Sequence, residues 1–77
     1  MEHAEIEEKL AELEGKLERV RVLYDQYFMG IERTEPATLR REVDREFWEL
    51  RRVQIRNTGL RYRLQMISQR YQVLQQH

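Results

Sequence analysis

Apolar residues in the first part of the chain fall at Ile6, Leu10, Leu13, Leu17, Val20, Tyr24, Tyr27 and Ile31, spaced alternately four and three apart. That alternation is a heptad seam, with Leu10, Leu17, Tyr24 and Ile31 at a and the other four at d. It predicts a first helix over about 4–30, with Gly15 on the solvent side, where its low helix propensity is tolerable. Gly30 suits a helix C-terminus, and Pro36 suits the first turn of a new helix, where its missing N–H has no partner to lose. The connection is therefore about 31–35, with Thr34, Glu35 or Thr38 as the candidate N-cap.

A second seam runs Leu39, Val43, Glu46, Leu50, Val53, Asn57, Leu60, Leu64, Ile67, Tyr71 and Leu74. It predicts one second helix over about 36–76, roughly 60 Å long. A short connection makes the two helices antiparallel neighbours. The expected fold is all-α, an antiparallel two-helix coiled-coil hairpin in one domain, 1–77. Pairing residues whose numbers total seventy centres the turn on Glu35 and sets Tyr24 against Glu46, Leu13 against Asn57 and Ile6 against Leu64. Tyr24, Glu46 and Asn57 then serve as register residues: the tyrosine hydroxyl reaches the carboxylate, and Asn57 either bonds its symmetry mate across a two-fold axis or reaches water at the seam's edge.

The predicted second helix carries another stripe, Trp48, Arg52, Ile55, Gly59, Tyr62, Met66, Gln69 and Val73, again stepping four and three, nearly opposite the first. Val22, Phe28 and Met29 extend the apolar surface on the first helix. Soluble monomers seldom expose a patch of this length. Trp48, Ile55, Gly59, Tyr62, Met66 and Val73 are thus the expected interface of a homodimer, hairpin against hairpin as a four-helix bundle, two-fold dimers being the commonest homo-oligomers. Docking of a different protein is the competing explanation. Tyr71 and Leu74 also overrun the first helix in this register, which leads to the expectation that the seam continues past residue 77.

Composition narrows the chemistry. The chain has 77 residues, 36% of them charged, with one proline, three glycines and no cysteine. Such a length builds only a marginal core unaided, and without cysteine there is neither a disulfide framework nor thiol chemistry. No apolar run is long enough to span a membrane, and the start lacks the basic and apolar regions of a signal peptide, so a cytoplasmic location is expected. The net charge of zero conceals a polarity. Seven acidic residues and two lysines lie in 1–18, whereas 50–77 holds six arginines and no acid. A hairpin brings these blocks together, although each exposed pair is worth only about 0–1 kcal/mol.

Catalytic material is scarce. Ser68 is the only serine, and the two histidines, His3 and His77, belong to no nucleophile–base set. His3 and Glu7, four apart on a helix, supply two metal ligands where zinc needs three or four. No catalytic residue, metal or cofactor is expected, and no glycine-rich phosphate loop is present. The expectation is a non-enzymatic coiled-coil oligomerisation or protein-docking module, a scaffold or adaptor. The alternative is a nucleic-acid-binding helical protein using Arg52, Arg56, Arg61, Arg63 and Arg70, with Tyr62 among them. The neutral balance and the scatter of these arginines around the helix weigh against that alternative. A membrane surface is weaker still, because no helix separates a basic face from a purely apolar one.

The stretch Tyr24-Asp25-Gln26-Tyr27-Phe28-Met29-Gly30-Ile31-Glu32-Arg33, followed by Glu35-Pro36, and the block Asn57-Thr58-Gly59-Leu60-Arg61-Tyr62-Arg63 with Tyr71 downstream resemble a group of uncharacterised bacterial coiled-coil proteins. The shared features are an aromatic-aromatic-x-Gly turn, a Pro-started second helix and an Asn/Arg-aromatic-Arg block. The resemblance covers about Leu23 to Tyr71 and implies a hairpin whose second helix extends further than this chain. It implies no activity.

Overall fold

The computed structural model describes residues 2–75, and of Gln75 the backbone only. The chain is all-helical there: α1 spans His3–Phe28, α2 Ala37–Arg52 and α3 Thr58–Gln75. The predicted end of the second helix at residue 76, and His77, lie outside the described residues.

α1 forms where the heptads place it. Ile6, Leu10, Leu13, Leu17 and Val20 are buried, while Tyr24 and Tyr27 are partly so. Its end is a Schellman motif: the Ile31 amide donates to the Gln26 carbonyl at 2.9 Å and the Gly30 amide to that of Tyr27 at 3.1 Å. This geometry needs a left-handed residue, which Gly30 supplies at φ 81°. Ile31, the last member of the predicted seam, is outside the helix and exposed. α2 opens without a side-chain cap, Pro36 occupying the N-cap and its carbonyl accepting the Arg40 amide at 3.1 Å. Thr34, Glu35 and Thr38 therefore do not cap it.

The main departure from expectation is that the second helix is two. Val53 turns extended (ψ 134°), and helix resumes only at Thr58. Asn57 restarts it: its Oδ1 accepts the Leu60 amide at 3.0 Å, the bond of an N-cap residue to the third amide of the new helix. The β-branched Val53 and Ile55 suit the extended stretch between. Asn57, expected opposite Leu13 as a register residue, is in fact exposed at this helix start.

The physical reason lies in length. α1, at 26 residues, reaches roughly 39 Å, so a straight 60 Å partner would leave about a third of itself uncovered. Folding back confines the molecule to a long dimension of 43 Å. It also lets Ile55 turn inward and brings Phe47 and Tyr71 together, their rings stacked at 5.2 Å and 19°. Burying each such side chain contributes about 1.5–3 kcal/mol, more than the few helical hydrogen bonds given up at about 1 kcal/mol each. Ile55, Leu60, Ile67 and Tyr71 join Val43, Phe47, Leu50 and the α1 residues in one core.

Contacts between the helices give the directions. Tyr24 meets Arg40 and Lys16 meets Glu46, so α2 runs back along α1; Glu14 meets Arg63 and Glu18 meets Arg70, so α3 runs alongside α1 again. The register differs from the one expected. Glu46 binds Lys16 at 2.9 Å rather than Tyr24, whose hydroxyl donates to Glu35 at 2.7 Å and accepts from Arg40 at 3.1 Å. α2 sits roughly two turns from the anticipated position because the connection occupies 29–36, and its midpoint falls near residues 32–33 instead of at Glu35.

The Asn57 cap is testable. Asn57→Ala should destabilise the fold by about 1 kcal/mol, lowering Tm by roughly 4–8 °C, whereas Asn57→Asp should hold it within about 1 °C of the parent. Thermal unfolding followed by circular dichroism distinguishes these; equal losses from both would remove the cap from the account.

Candidate interaction surface

Each helix turns one side to the core, and the opposite side can be read from the 3.6-residue period. On α1 the side away from Leu10, Leu13 and Leu17 carries Ala4, Glu8, Ala11 and Gly15, flanked by Glu5 and Glu12, all exposed. On α2 the side away from Val43, Phe47 and Leu50 carries Arg41, Arg45, Trp48 and Arg52, also exposed. The Arg52 guanidinium lies 4.5 Å from the Trp48 ring centroid, a cation–π contact that covers one face of the indole. On α3 the side away from Leu60, Ile67 and Tyr71 carries Tyr62, Met66, Gln69 and Val73. The three outer surfaces thus differ in chemistry: acidic with small residues, cationic with one tryptophan, and apolar without charge.

The stripe expected along one long helix is divided by the break. Trp48 (58% exposed) remains on α2, whereas Tyr62 (62%), Met66 (41%) and Val73 (60%) remain on α3. Ile55, expected in the interface, is 8% exposed and belongs to the chain's own core. Gly59 is exposed in the first turn of α3, where an added Cβ would come within 3.1 Å of the Asn57 Oδ1. Its small size therefore serves the local cap, and any closer approach of a second helix there is additional to that role.

The arginines considered for nucleic acid divide as well. Arg63 Nε donates to Glu14 Oε1 at 2.7 Å, and Arg70 lies 3.7 Å from Glu18. Arg52 is drawn over Trp48, and Arg56 and Arg61 are exposed at the α2–α3 corner. Arg56 shares an open groove of about 750 Å³ with His3 and Ile6, so the acidic start of α1 stands at the same pole as this corner.

At the other pole Tyr24, Glu35 and Arg40 form a polar knot beside Tyr71, whose hydroxyl donates to Asp44 Oδ1 at 2.5 Å. Burial, with the Glu35 hydrogen bond behind it, pushes the Tyr24 phenol above its usual pKa; the Arg40 guanidinium is raised by the Tyr24 and Tyr71 hydroxyls. Lys16 is raised chiefly by its hydrogen bond to Glu46, and Glu18 is lowered chiefly by that from Arg21. Phe28 stacks on Tyr24 at 5.8 Å and is itself exposed beside Met29 and Ile31.

Three features of these surfaces were not foreseen. Phe47 lies off the expected seam, yet Leu39, Val43, Phe47 and Leu50 make a single face of a sixteen-residue helix, visible once α2 is treated alone. Arg41 and Arg45 complete the Trp48 side at the same spacing. The Tyr71–Asp44 bond exists only because α3 returns. Among the described residues no group of three His, Cys, Asp or Glu side chains could hold a metal; His3 Nε2 lies 2.9 Å from Glu7 Oε1. No helix of the described residues is long and apolar enough to cross a membrane. Comparison with protein-family models, curated proteins and solved structures gives no match.

Lys16 and Tyr24 define an alkaline weakness. Both have raised folded-state pKa values, so their contribution is fully present below the ordinary values of 10.5 and 10.0 and is lost as pH rises through the raised ones. Urea midpoints should be flat from pH 7 to 9 and fall above about pH 10, with a shallower fall in Tyr24→Phe. A midpoint independent of pH up to 11.5 would contradict the assignment.

Proposed function

We propose that this chain is a non-enzymatic helical oligomerisation or protein-docking module, a scaffold or adaptor by trade, whose working surface is the outer side of α3 together with Trp48 on α2. The observation that carries the reading is the α3 ridge. Tyr62, Met66 and Val73 are large, 41–62% exposed, and lie opposite the buried line of a helix whose inner side already completes the core. Fold stability does not require them there, and exposed apolar groups in one line mark contact surfaces. Two copies joined this way would assemble six helices, rather than the four of paired hairpins, because each brings three. A cytoplasmic location and coiled-coil-like side-chain interlocking between copies belong to the same proposal.

The nucleic-acid alternative is the poorer fit. Two of its five arginines are committed to Glu14 and Glu18, one covers Trp48, and the acidic start of α1 stands near Arg56. Phosphate recognition needs a field of one sign over the contact.

Sedimentation equilibrium tests the module reading. The parent should show a mass above that of the monomer at micromolar concentration, and Tyr62→Asp or Met66→Asp should return it to monomer with an unchanged helical circular dichroism spectrum. A parent that stays monomeric to millimolar concentration would refute self-association by this surface.

A further inference from the structure

The apolar seam ignores the break that the fold makes in it. Leu50, Val53, Leu60, Leu64 and Ile67 stay in one heptad phase, with only Asn57 polar at a seam position between them, although Val53–Asn57 are not helical. Each helix needs a stripe of its own, but two helices joined by a five-residue non-helical linker have no need to share a phase. Here they share it, as a single continuous helix would require. We propose that the linker is a hinge at which α2 and α3 join into one helix, and that the released α3 docks on the α1–α2 pair of a second copy while that copy's α3 docks on the first. The product is a dimer made by exchange of α3.

No residue type fixes the bend. The linker has neither proline nor glycine and no residue at positive φ. Among the described residues, the amides of Gln54, Ile55, Arg56 and Asn57 find no backbone acceptor; in a continuous helix each would gain one. Two features of the closed form oppose that gain. Ile55 is 8% exposed, and the Asn57 side chain caps α3. Straightening returns Ile55 to the outer stripe between Trp48 and Tyr62 and removes the cap. Burial of one aliphatic side chain and one cap are comparable in size to a few helical hydrogen bonds, so the two forms of the linker are closely matched.

Exchange keeps the remaining contacts. α3 follows α2 through the linker alone. Its stack on Phe47, its Tyr71–Asp44 hydrogen bond and its ion pairs with Glu14 and Glu18 have both partners in every copy, so each can be remade between copies. Transfer of an identical element between protomers is a direct route to a dimer. A lone chain that straightened would lose all of these contacts, which ties opening to the second copy and to concentration. The two long helices, roughly 58 Å each, would lie antiparallel about a two-fold axis at the hinge. α1 begins beside that hinge, where His3 and Ile6 share a groove with the linker. The two acidic α1 starts would therefore meet near the axis and have to splay, which holds the dilute chain in the closed form. The outer side of α3 takes no part in the exchange.

Refolding from urea at millimolar or at micromolar chain concentration, followed by size exclusion, tests the hinge. The millimolar sample should contain a dimer that the micromolar sample lacks. Spin labels at positions 45 and 72 are introduced as cysteines into a chain that has none. Refolding that chain with an excess of unlabelled chain makes pulsed electron paramagnetic resonance read separations within one chain only. The dimer fraction should centre near 40 Å, the monomer at roughly 10–20 Å. Asn57→Ala, which lacks the cap and favours helix, should raise the dimer yield several-fold. Arg56→Pro, which a continuous helix rejects, should suppress the dimer while the monomer keeps the parent's helicity. Tyr62→Asp should leave the yield unchanged. A dimer fraction that retains the short separation would show association of closed chains and overturn the proposal. Absence of dimer after millimolar refolding of both the parent and Asn57→Ala would overturn it equally.

Discussion

The Asn57 side chain, by accepting the Leu60 amide, lets a helix begin again five residues after α2 has ended, and the rest of the molecule depends on that restart. Without the fold-back, α2 and α3 would form a rod far longer than α1. With it, α3 returns beside α2, Tyr71 stacks on Phe47, and a chain with little apolar material closes a single core on three sides. Ile55 shows the coupling most plainly. The linker that breaks the helix also inserts one of the core residues, so the turn and the packing support each other.

The charge polarity follows from the same topology. Running α3 alongside α1 sets Arg63 by Glu14 and Arg70 by Glu18, while α2 brings Glu46 to Lys16. These partly exposed pairs add little stability singly. Their effect is on arrangement: they draw two arginines of α3 toward α1 and leave its outer side uncharged.

Much of this was legible in the sequence, and the part that was not has a physical cause. The α1 seam and the Gly30–Pro36 connection could be read because heptad spacing, a left-handed glycine and a helix-starting proline are local signals. The break could not be read from periodicity, since Val53, Leu60, Ile67 and Leu74 keep a seven-residue spacing straight through it. The clue was Asn57, polar in an apolar seam and next to Thr58 and Gly59; it admits a capping role as readily as a register role, and only the length of α1 decides between them. Among the surface residues, Trp48, Tyr62, Met66 and Val73 are exposed as a helical stripe implies, but Ile55 turned inward and Phe47 entered the core because both belong to the fold-back. The Tyr24–Glu46 pairing failed because it centred the turn on Glu35, whereas the connection is centred near residues 32–33 and sets Tyr24 beside Arg40 instead.

The fold-back itself can be measured in solution. Spin labels at positions 45 and 72, introduced as cysteines into a chain that has none, report the separation of α2 from the end of α3 by pulsed electron paramagnetic resonance. Because Asp44 and Tyr71 are hydrogen-bonded, the account predicts a narrow distribution at roughly 10–20 Å, side by side as packed helices are. A distribution centred near 40 Å, the length of one continuous helix between those positions, would contradict it.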